Sequence, residues 1–413
     1  MSTARHDPYA ALRVRNFLWL VASYAASTVA REAQIVVVGW QVYDVTRDPL
    51  SLGMIGLAEA LPFIAVALYA GHVADRMPRR AIAIAGTFGM FLSAVALLLF
   101  TYSGMIARGR IWPIYLVIFL SGIARSFARP AFQALSADVV TRDIYANAVT
   151  WRSASWQLAA VIGPAVGGLI YGFAGTTTAY ASVSVVMALS IVALALITHR
   201  GEPQASAPDV PIGESLRIGI RFLFEQPVIL AAMTLDLFSV LFGGAAALLP
   251  IFARLLHAGP EGLGILRAAP AVGSLITGMV LAHRPPMRRT GLALFVAVAL
   301  FGMTIIAFAL SRNFFLSVAI LTASGMADNV SVVIRGTLIQ TMTPQHLLGR
   351  VASVNQIFIG SSNEIGAFES GVAAKLMGTI PSVIFGGTMT LIVVALVAWR
   401  APALRRMREI PVA

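Results

Sequence analysis

Gly71-His72-Val73-Ala74-Asp75-Arg76-Met77-Pro78-Arg79-Arg80 separates two long apolar runs, and its reading decides the fold. The stretch holds an acid, three arginines and a proline that limits any helix running through it. A basic loop that fixes membrane orientation accounts for the arginines on its own. The flanking sequence has to decide whether the loop does more.

Those flanks belong to a membrane protein. The chain has 413 residues, 58% hydrophobic and only 12% charged, with a mean hydropathy of +0.83. A soluble domain carries about 25% charged residues. The net charge of +12 could suggest nucleic acid, but the cations lie in short clusters between apolar runs, all arginine except Lys375. That is the pattern of loops on one membrane face, without the aromatic–basic interleave of a nucleic-acid binder. There is no cysteine, so disulfides, thiol catalysis and thiolate metal sites are excluded. The first apolar run carries Arg31 and Glu32 and is not followed by a small-residue cleavage site, so it reads as a span and not as a cleaved signal. The six histidines are scattered, mostly at loops, and no H-E-x-x-H or paired-acid motif occurs. No enzyme activity, metal site or cofactor is expected.

Twelve segments are each long enough to cross the hydrocarbon core, which takes about 20 residues. They fall near 16–44, 50–75, 81–103, 112–134, 145–173, 176–198, 228–253, 259–283, 290–311, 314–336, 347–374 and 377–399. Between the sixth and seventh, 199–213 is rich in Pro, Ala and Ser. Residues 214–226 then alternate Arg217 and Arg221 with Leu216, Ile218, Ile220, Phe222 and Leu223, as an amphipathic interfacial helix does. The expected organisation is an N-terminal six-helix half over 1–198, a cytoplasmic linker with an amphipathic helix over 199–226, and a C-terminal six-helix half over 227–413.

The halves show traces of a repeat. Gly56 and Pro62 in the second span recur as Gly264 and Pro270 in the eighth, an offset of 208 residues. At that offset Arg76 falls on Arg284 and Arg80 on Arg288. Ser121-Gly122-Ile123-Ala124 in the fourth span resembles Ser324-Gly325-Met326-Ala327 in the tenth, an offset of 203. A channel of twelve spans would give no reason for Arg-rich loops at equivalent repeat positions. Loop charge orients the chain: Arg5, Arg13, Arg15, Arg76, Arg79, Arg80, Arg200, Arg284, Arg288, Arg289, Arg335, Arg350, Arg405, Arg406 and Arg408 fall on one side, and fewer, such as Arg47, Arg108, Arg110 and Arg312, on the other. Both termini are therefore expected to be cytoplasmic in a multi-pass protein of a bacterial-type inner (cytoplasmic) membrane.

The pattern G-x-x-x-D-R-x-x-R-R of the opening stretch resembles the loop between helices 2 and 3 of major facilitator superfamily transporters, with Pro78 where the usual pattern has a second glycine. Gly163-Pro164-Ala165-Val166-Gly167-Gly168 resembles the core of the antiporter motif of drug–proton exchangers in that superfamily, with Ala159 in place of a further glycine. Ala128-Arg129-Pro130-Ala131, Trp156-Gln157, and Gln340-Thr341-Met342-Thr343-Pro344 leading to Leu348-Gly349-Arg350-Val351 follow one another as in the enterobactin exporter group. The resemblance implies an all-α membrane fold of two six-helix pseudo-repeat halves and alternating access. It implies a gating loop at Gly71, Asp75, Arg76, Arg79 and Arg80, with Arg350 facing Asp75 at the start of span eleven. It also implies that spans one, four, seven and ten line the transport path. The implied activity is proton-coupled export of an amphiphilic small molecule, a drug or a siderophore. The alternative is a lysophospholipid or small metabolite, uptake included. The expected partners are that cargo, protons and the lipid bilayer. The chain is expected to act as a monomer and without nucleic acid.

Charges inside the spans are the chemical candidates, because each costs about 2.5–3.5 kcal/mol at a helix centre by insertion scales and so faces a partner or a cavity. They are Arg31 and Glu32 in span one, Arg125 and Arg129 in span four, Arg152 in span five, Asp236 in span seven, Asp328 in span ten and Glu364 in span eleven. Glu32 leads as the coupling acid, followed by Asp236 and Glu364. Neighbouring residues on a helix point about 100° apart, so Arg31 and Glu32 are not self-evidently a pair, and one of them can face the path while the other faces a neighbouring span. Trp151, Trp156 and Phe132 are candidates for cargo contact, with helix packing or an interfacial aromatic belt as the equal alternative.

Overall fold

A computed structural model describes residues 7–107, 109–199, 212–284 and 289–408; within them, the side chains at 67, 68, 70–72, 74–76, 212, 215, 216 and 346 lie outside the description. The described chain is helical from end to end, with one isolated bridge between Ala107 and Arg110 and no strand among the described residues. Lipid offers the backbone no hydrogen bonds, and a helix satisfies its own.

The helices are α1 (Arg15–Thr46), α2 (Pro49–Arg76), α3 (Arg79–Tyr102), α4 (Trp112–Asp138), α5 (Tyr145–Ala195), α6 (Ile212–Glu225), α7 (Pro227–Phe242), α8 (Leu249–Leu255), α9 (Pro260–Ala282), α10 (Thr290–Leu310), α11 (Phe314–Met342), α12 (Gln345–Met377), α13 (Thr379–Arg400) and the short α14 (Pro402–Arg405). Nine segments among the described residues are long and apolar enough to cross a membrane. One of them, Arg142–Ala195, holds two spans, because Gly175 breaks α5 at φ +82°. Only glycine adopts that conformation without strain, so the helix stops and restarts there. The 32-residue α1 and 33-residue α12 are also long enough to span and carry charges mid-helix, which completes the twelve.

The seventh span differs from the expected continuous 228–253. It breaks at Gly243-Gly244 into a 3-10 turn (Ala245–Leu248) before α8. A β-carbon at Gly243 would strike the Phe301 ring at 2.6 Å, so the break sits where only glycine fits.

The chain divides into two units. Unit 1 is Met1–Val38 with Ala65–Ala207; unit 2 is Gly39–Ile64 with Pro208–Ala413. In unit 1, α3 and α4 close on each other through small residues: a β-carbon at Gly86 would lie 2.8 Å from both the Ala124 carbonyl oxygen and the Ala128 methyl. Ser23 and Ser190, both buried, bond to each other at 2.8 Å and tie α1 to the second limb of α5. In unit 2, α9 crosses α11 so closely that a β-carbon at Gly325 would overlap the Pro270 carbonyl. Pro270 and Gly325 are the two repeat signatures of the second half, and they meet.

Helix α6 turns its buried Leu223 into a cluster with Ile229, Met233, Ile339, Val351 and Val354, while Phe224 stays 70% exposed. One apolar edge of the amphipathic helix is thus spent on protein, and a β-carbon at Gly219 would come 3.1 Å from the Arg350 carbonyl oxygen of α12.

Candidate transport site

In unit 1, α1 and α5 run in the same direction. Asn147 accepts from the Ala11 amide at 3.0 Å, Gly163 meets Val29 and Glu32, and Gly167 meets Ala33. A β-carbon at Gly163 would come 2.7 Å from both the Glu32 Cβ and the Val29 carbonyl oxygen; one at Gly167 would come 2.7 Å from the Ala33 Cα. Glycines of the G-P-x-x-G-G stretch are therefore the seat of α1 at the level of Glu32. Pro164 and Gly168 are buried in the same stretch.

The Arg31 guanidinium reaches across to Glu32 and donates at 2.8 Å. The sequence left the pairing open; the arginine side chain is long enough to span the 100° between the two. Tyr24 of α1 packs on the buried Phe132 of α4 with ring centroids 5.6 Å apart. Arg125 and Arg129 lie on the same α4 face as Phe132, seven and three residues before it. Arg129 and Arg152 are, like Arg31, near enough for their charges to act on the Tyr24 hydroxyl. Arg129 is exposed and Tyr24, Arg31, Arg125 and Arg152 are half-buried. The Trp151 indole donates to the Pro8 carbonyl at 2.9 Å and lies 5.7 Å from the Tyr9 ring, pinning the N-terminal segment to α5.

In unit 2, Asp236 of α7 and Arg335 of α11 form a buried ion pair. Asp328 lies two turns before Arg335 on α11, within reach of both charges. Arg335 is therefore no loop cation, as its place near the end of an apolar run suggested; it is 5% exposed inside a helix. Glu364, half-buried on α12, presents its carbonyl oxygen to Gly56, where a β-carbon would lie 2.8 Å away.

Of the gating-loop candidates, Gly71, Asp75 and Arg76 have side-chain positions outside the described residues, so the expected approach of Asp75 to Arg350 falls there too. Arg79 pairs with Asp138. The arginine opens α3 and the acid closes α4, each at the helix end its charge disfavours, and the pair offsets both. Arg80 donates to the Leu194 and Ala195 carbonyls at 3.2 and 2.6 Å, capping the last turn of α5.

A second charged cluster escaped the sequence reading. At the α1–α2 turn, Asp44 pairs with Arg254 of α8 and with Arg47 at 3.1 Å, and Asp48 with Lys375 of α12 at 2.7 Å. The Arg254 guanidinium also lies over the Trp40 ring at 5.0 Å. All these residues belong to unit 2. The signal available was the lone lysine and acids in a loop assigned to the arginine-poor side. Partly exposed pairs contribute about 0–1 kcal/mol each and one cation–π contact about 0.5–1 kcal/mol. Since the chain has no cysteine, Leu52→Cys is a unique reporter of this end. In Asp44→Asn/Asp48→Asn its maleimide labelling is expected to rise roughly tenfold, the equivalent of about 1.4 kcal/mol. Unchanged labelling would mean that the pairs do not hold the α1–α2 turn against α8 and α12.

Twelve helices with charged clusters inside the span region define a membrane transporter of the major facilitator fold. The model of the family described as transmembrane secretion effector matches residues 6–411, and the chain belongs to that family. It is 26% identical over 392 residues to the enterobactin exporter EntS of Shigella flexneri, covering 91% of this chain and 89% of the relative. The EntS of Escherichia coli O1:K1 is 26% identical over 389 residues, with the same coverage. Among solved structures, a POT family transporter in complex with a thioalcohol-conjugated peptide superposes with a TM-score of 0.75 at 11% identity, covering 94% of this chain and 96% of that one. A mutant of the nucleoside transporter NupG gives 0.72 at 11% identity over 94% and 100%. At these identities the structures speak for the fold.

Proposed function

We propose that the protein exports an amphiphilic small molecule, a drug or a siderophore, across the inner membrane by proton-coupled alternating access. In this reading both termini are cytoplasmic, and the linker over 199–226 joins two six-helix halves. The family and the likeness to enterobactin exporters support export. The observation that carries proton coupling is the seat of Glu32: a mid-span carboxylate on α1, held by Arg31 and pressed against Gly163 of α5. A proton arriving on Glu32 cancels one half of that ion pair and alters the charge at a helix crossing. Occupancy by a proton is thereby tied to how α1 sits. Asp236 and Glu364 follow as coupling acids; Asp236 is already committed to Arg335.

The test begins with growth inhibition across a compound panel, with and without the gene, to find a carried compound. In proteoliposomes Glu32→Gln is then expected to reduce pH-gradient-driven flux of that compound at least tenfold. Downhill exchange should continue, since binding and rocking need no proton. Wild-type gradient-driven flux in Glu32→Gln would remove Glu32 from the coupling, and the same result in Asp236→Asn and Glu364→Gln would remove proton coupling from the reading.

A further inference from the structure

The broken seventh span of unit 2 leaves oxygen ligands at membrane depth, beside an acid that the transport reading does not use. Helix α7 is 16 residues long, about 24 Å, and so ends inside the roughly 30 Å hydrocarbon core. The Gly243 amide closes its last ordinary turn on the Ser239 carbonyl at 2.7 Å. The Ala245 amide, which a continuing helix would give to Leu241, turns instead to the Gly243 carbonyl at 2.8 Å. Among the described residues no backbone amide donates to the Val240 or Leu241 carbonyl. Both oxygens face α12: a β-carbon at Gly366 would lie 2.8 Å from the Leu241 oxygen and 3.0 Å from that of Val240. They form the negative end of the α7 dipole, held where lipid supplies no donor.

Glu369 stands on α12 one turn beyond Gly366 and more than two turns short of the end of that helix at Met377. The buried Ser370 hydroxyl donates to the Gly244 carbonyl at 3.2 Å and lies within hydrogen-bonding reach of the Glu369 carboxylate as well. Ser370 thus joins the acid to the break. Among the described residues no charged group stands near enough to act on this half-buried carboxylate. The elements packed on α12 explain why. The 3-10 turn over Ala245–Leu248 carries no charge, and α13 only Arg400, its last residue. On α7, Asp236 is paired with Arg335. The part of α2 in unit 2, which meets Gly371 through Gly53, brings only Glu59, itself an acid. Helices α6 and α11 reach α12 near its other end, around Arg350 and Val354. Lys375, further along α12, pairs with Asp48.

We propose that the Glu369 carboxylate, the Ser370 hydroxyl and the Gly244 carbonyl form a site for a monovalent cation, Na+ or a proton, at the break of the seventh span. A carboxylate without a counter-ion is costly inside a span, and the carbonyls at a helix break add negative potential to it. One carboxylate balances one positive charge, and the remaining donors are neutral oxygens, as a hard ion takes them. A divalent ion would bring an uncompensated charge into the span. A proton sits on the Glu369 carboxylate and turns it into a donor toward the same oxygens. Either occupant favours the arrangement in which Gly244 lies against α12, and so stabilises the bent form of the seventh span. The inference deepens the coupling reading, because it adds a second site for the driving ion, in unit 2 and apart from Glu32. It rests on that reading only for its part in transport.

The test measures binding and flux separately. Purified full-length protein in neutral detergent is unfolded by heat as sodium chloride replaces choline chloride at constant ionic strength. Sodium is expected to raise the unfolding temperature to saturation at alkaline pH, and less at mildly acid pH, where a proton holds the carboxylate. Glu369→Gln should abolish the response, and Ser370→Ala should weaken the apparent Na+ affinity about tenfold, as loss of a supporting group commonly does. Glu225→Gln, at an exposed acid of α6, should respond as wild type does. Unfolding temperatures in choline chloride alone record that the variants fold. Dicyclohexylcarbodiimide, which modifies protonated carboxyls in apolar surroundings, gives the second reading: mass spectrometry should find its adduct on Glu369, and Na+ should suppress it. An adduct that pH controls and Na+ does not would support the site and assign it to a proton. Absence of both a Glu369-dependent Na+ response and a Glu369 adduct would overturn the inference. Loss of the Na+ response in Glu369→Gln with wild-type gradient-driven flux would uphold the site and remove it from the coupling. The binding measurements need no flux, so their result stands whether or not Glu32 proves to be a coupling acid.

Discussion

Asp236→Ala is expected to cost about 3–5 kcal/mol of stability, the usual result of breaking a buried ion pair from one side. The loss comes less from the attraction given up than from the guanidinium left behind. Arg335 is 5% exposed on α11, too deep to reach water from a fixed helix. Asp328 modifies the outcome, since it lies near enough to Arg335 to act as a second counter-ion. Asp236→Ala/Asp328→Ala should therefore be worse than Asp236→Ala alone. Arg335→Met should also be damaging, because it leaves two carboxylates facing one another. Asp236→Leu/Arg335→Met removes both members of the pair and should recover much of the loss, as apolar replacement of buried pairs often does. The measurement is thermal unfolding of purified protein in detergent, alongside expression level. If the single and paired replacements unfold at the same temperature, the pair does not hold α7 to α11. If the paired variant is stable but does not transport, the charges serve transport and not the fold.

How much of this was legible depends on what the membrane demands locally. Each span must satisfy its backbone within itself and show lipid an apolar surface, so runs such as 81–103 and 290–311 declare themselves without knowledge of any neighbour. The division of α5 was legible for the same reason: two hydrophobic lengths meet at Gly175. Pairings between spans were not. Asp236 and Arg335 are 99 residues apart, and nothing in a single sequence says which distant charge an acid will meet. Arg335 resembled a loop cation because it stands near the end of an apolar run, yet α11 continues to Met342. Arg79 and Arg80 were legible as a cluster, but their work as partner of Asp138 and cap of α5 appears only once α3, α4 and α5 are packed. The Gly163 stretch was recognised by resemblance, while its contact with Glu32 joins two candidates that the sequence kept apart.

That contact yields the other large effect. Gly163→Leu is expected to abolish transport and Gly163→Ala to reduce it severalfold. A β-carbon at 163 would stand 2.7 Å from the Glu32 Cβ and from the Val29 carbonyl oxygen. Neither neighbour is the end of a flexible side chain, so relief requires α1 to move as a backbone. Overpacking of this kind typically costs about 1–3 kcal/mol for a few added methylenes. Here the displaced segment is also the one that carries Arg31 and Glu32, so transport should fall further than stability does. Gly167→Ala, against the Ala33 backbone, should behave alike. The control is Gly336→Ala on α11, where nothing lies within 4 Å of the added carbon. A helical glycine replaced by alanine there should be neutral or stabilising by about 0.5–1 kcal/mol, with flux unchanged. Flux and unfolding temperature measured on all four variants separate the cases. Equal losses at 336 and 163 would point to a general intolerance of the helices. Wild-type flux in Gly163→Leu would show that the close approach of α1 to α5 is dispensable, and Glu32 would lose the contact that ties its charge to the position of α1.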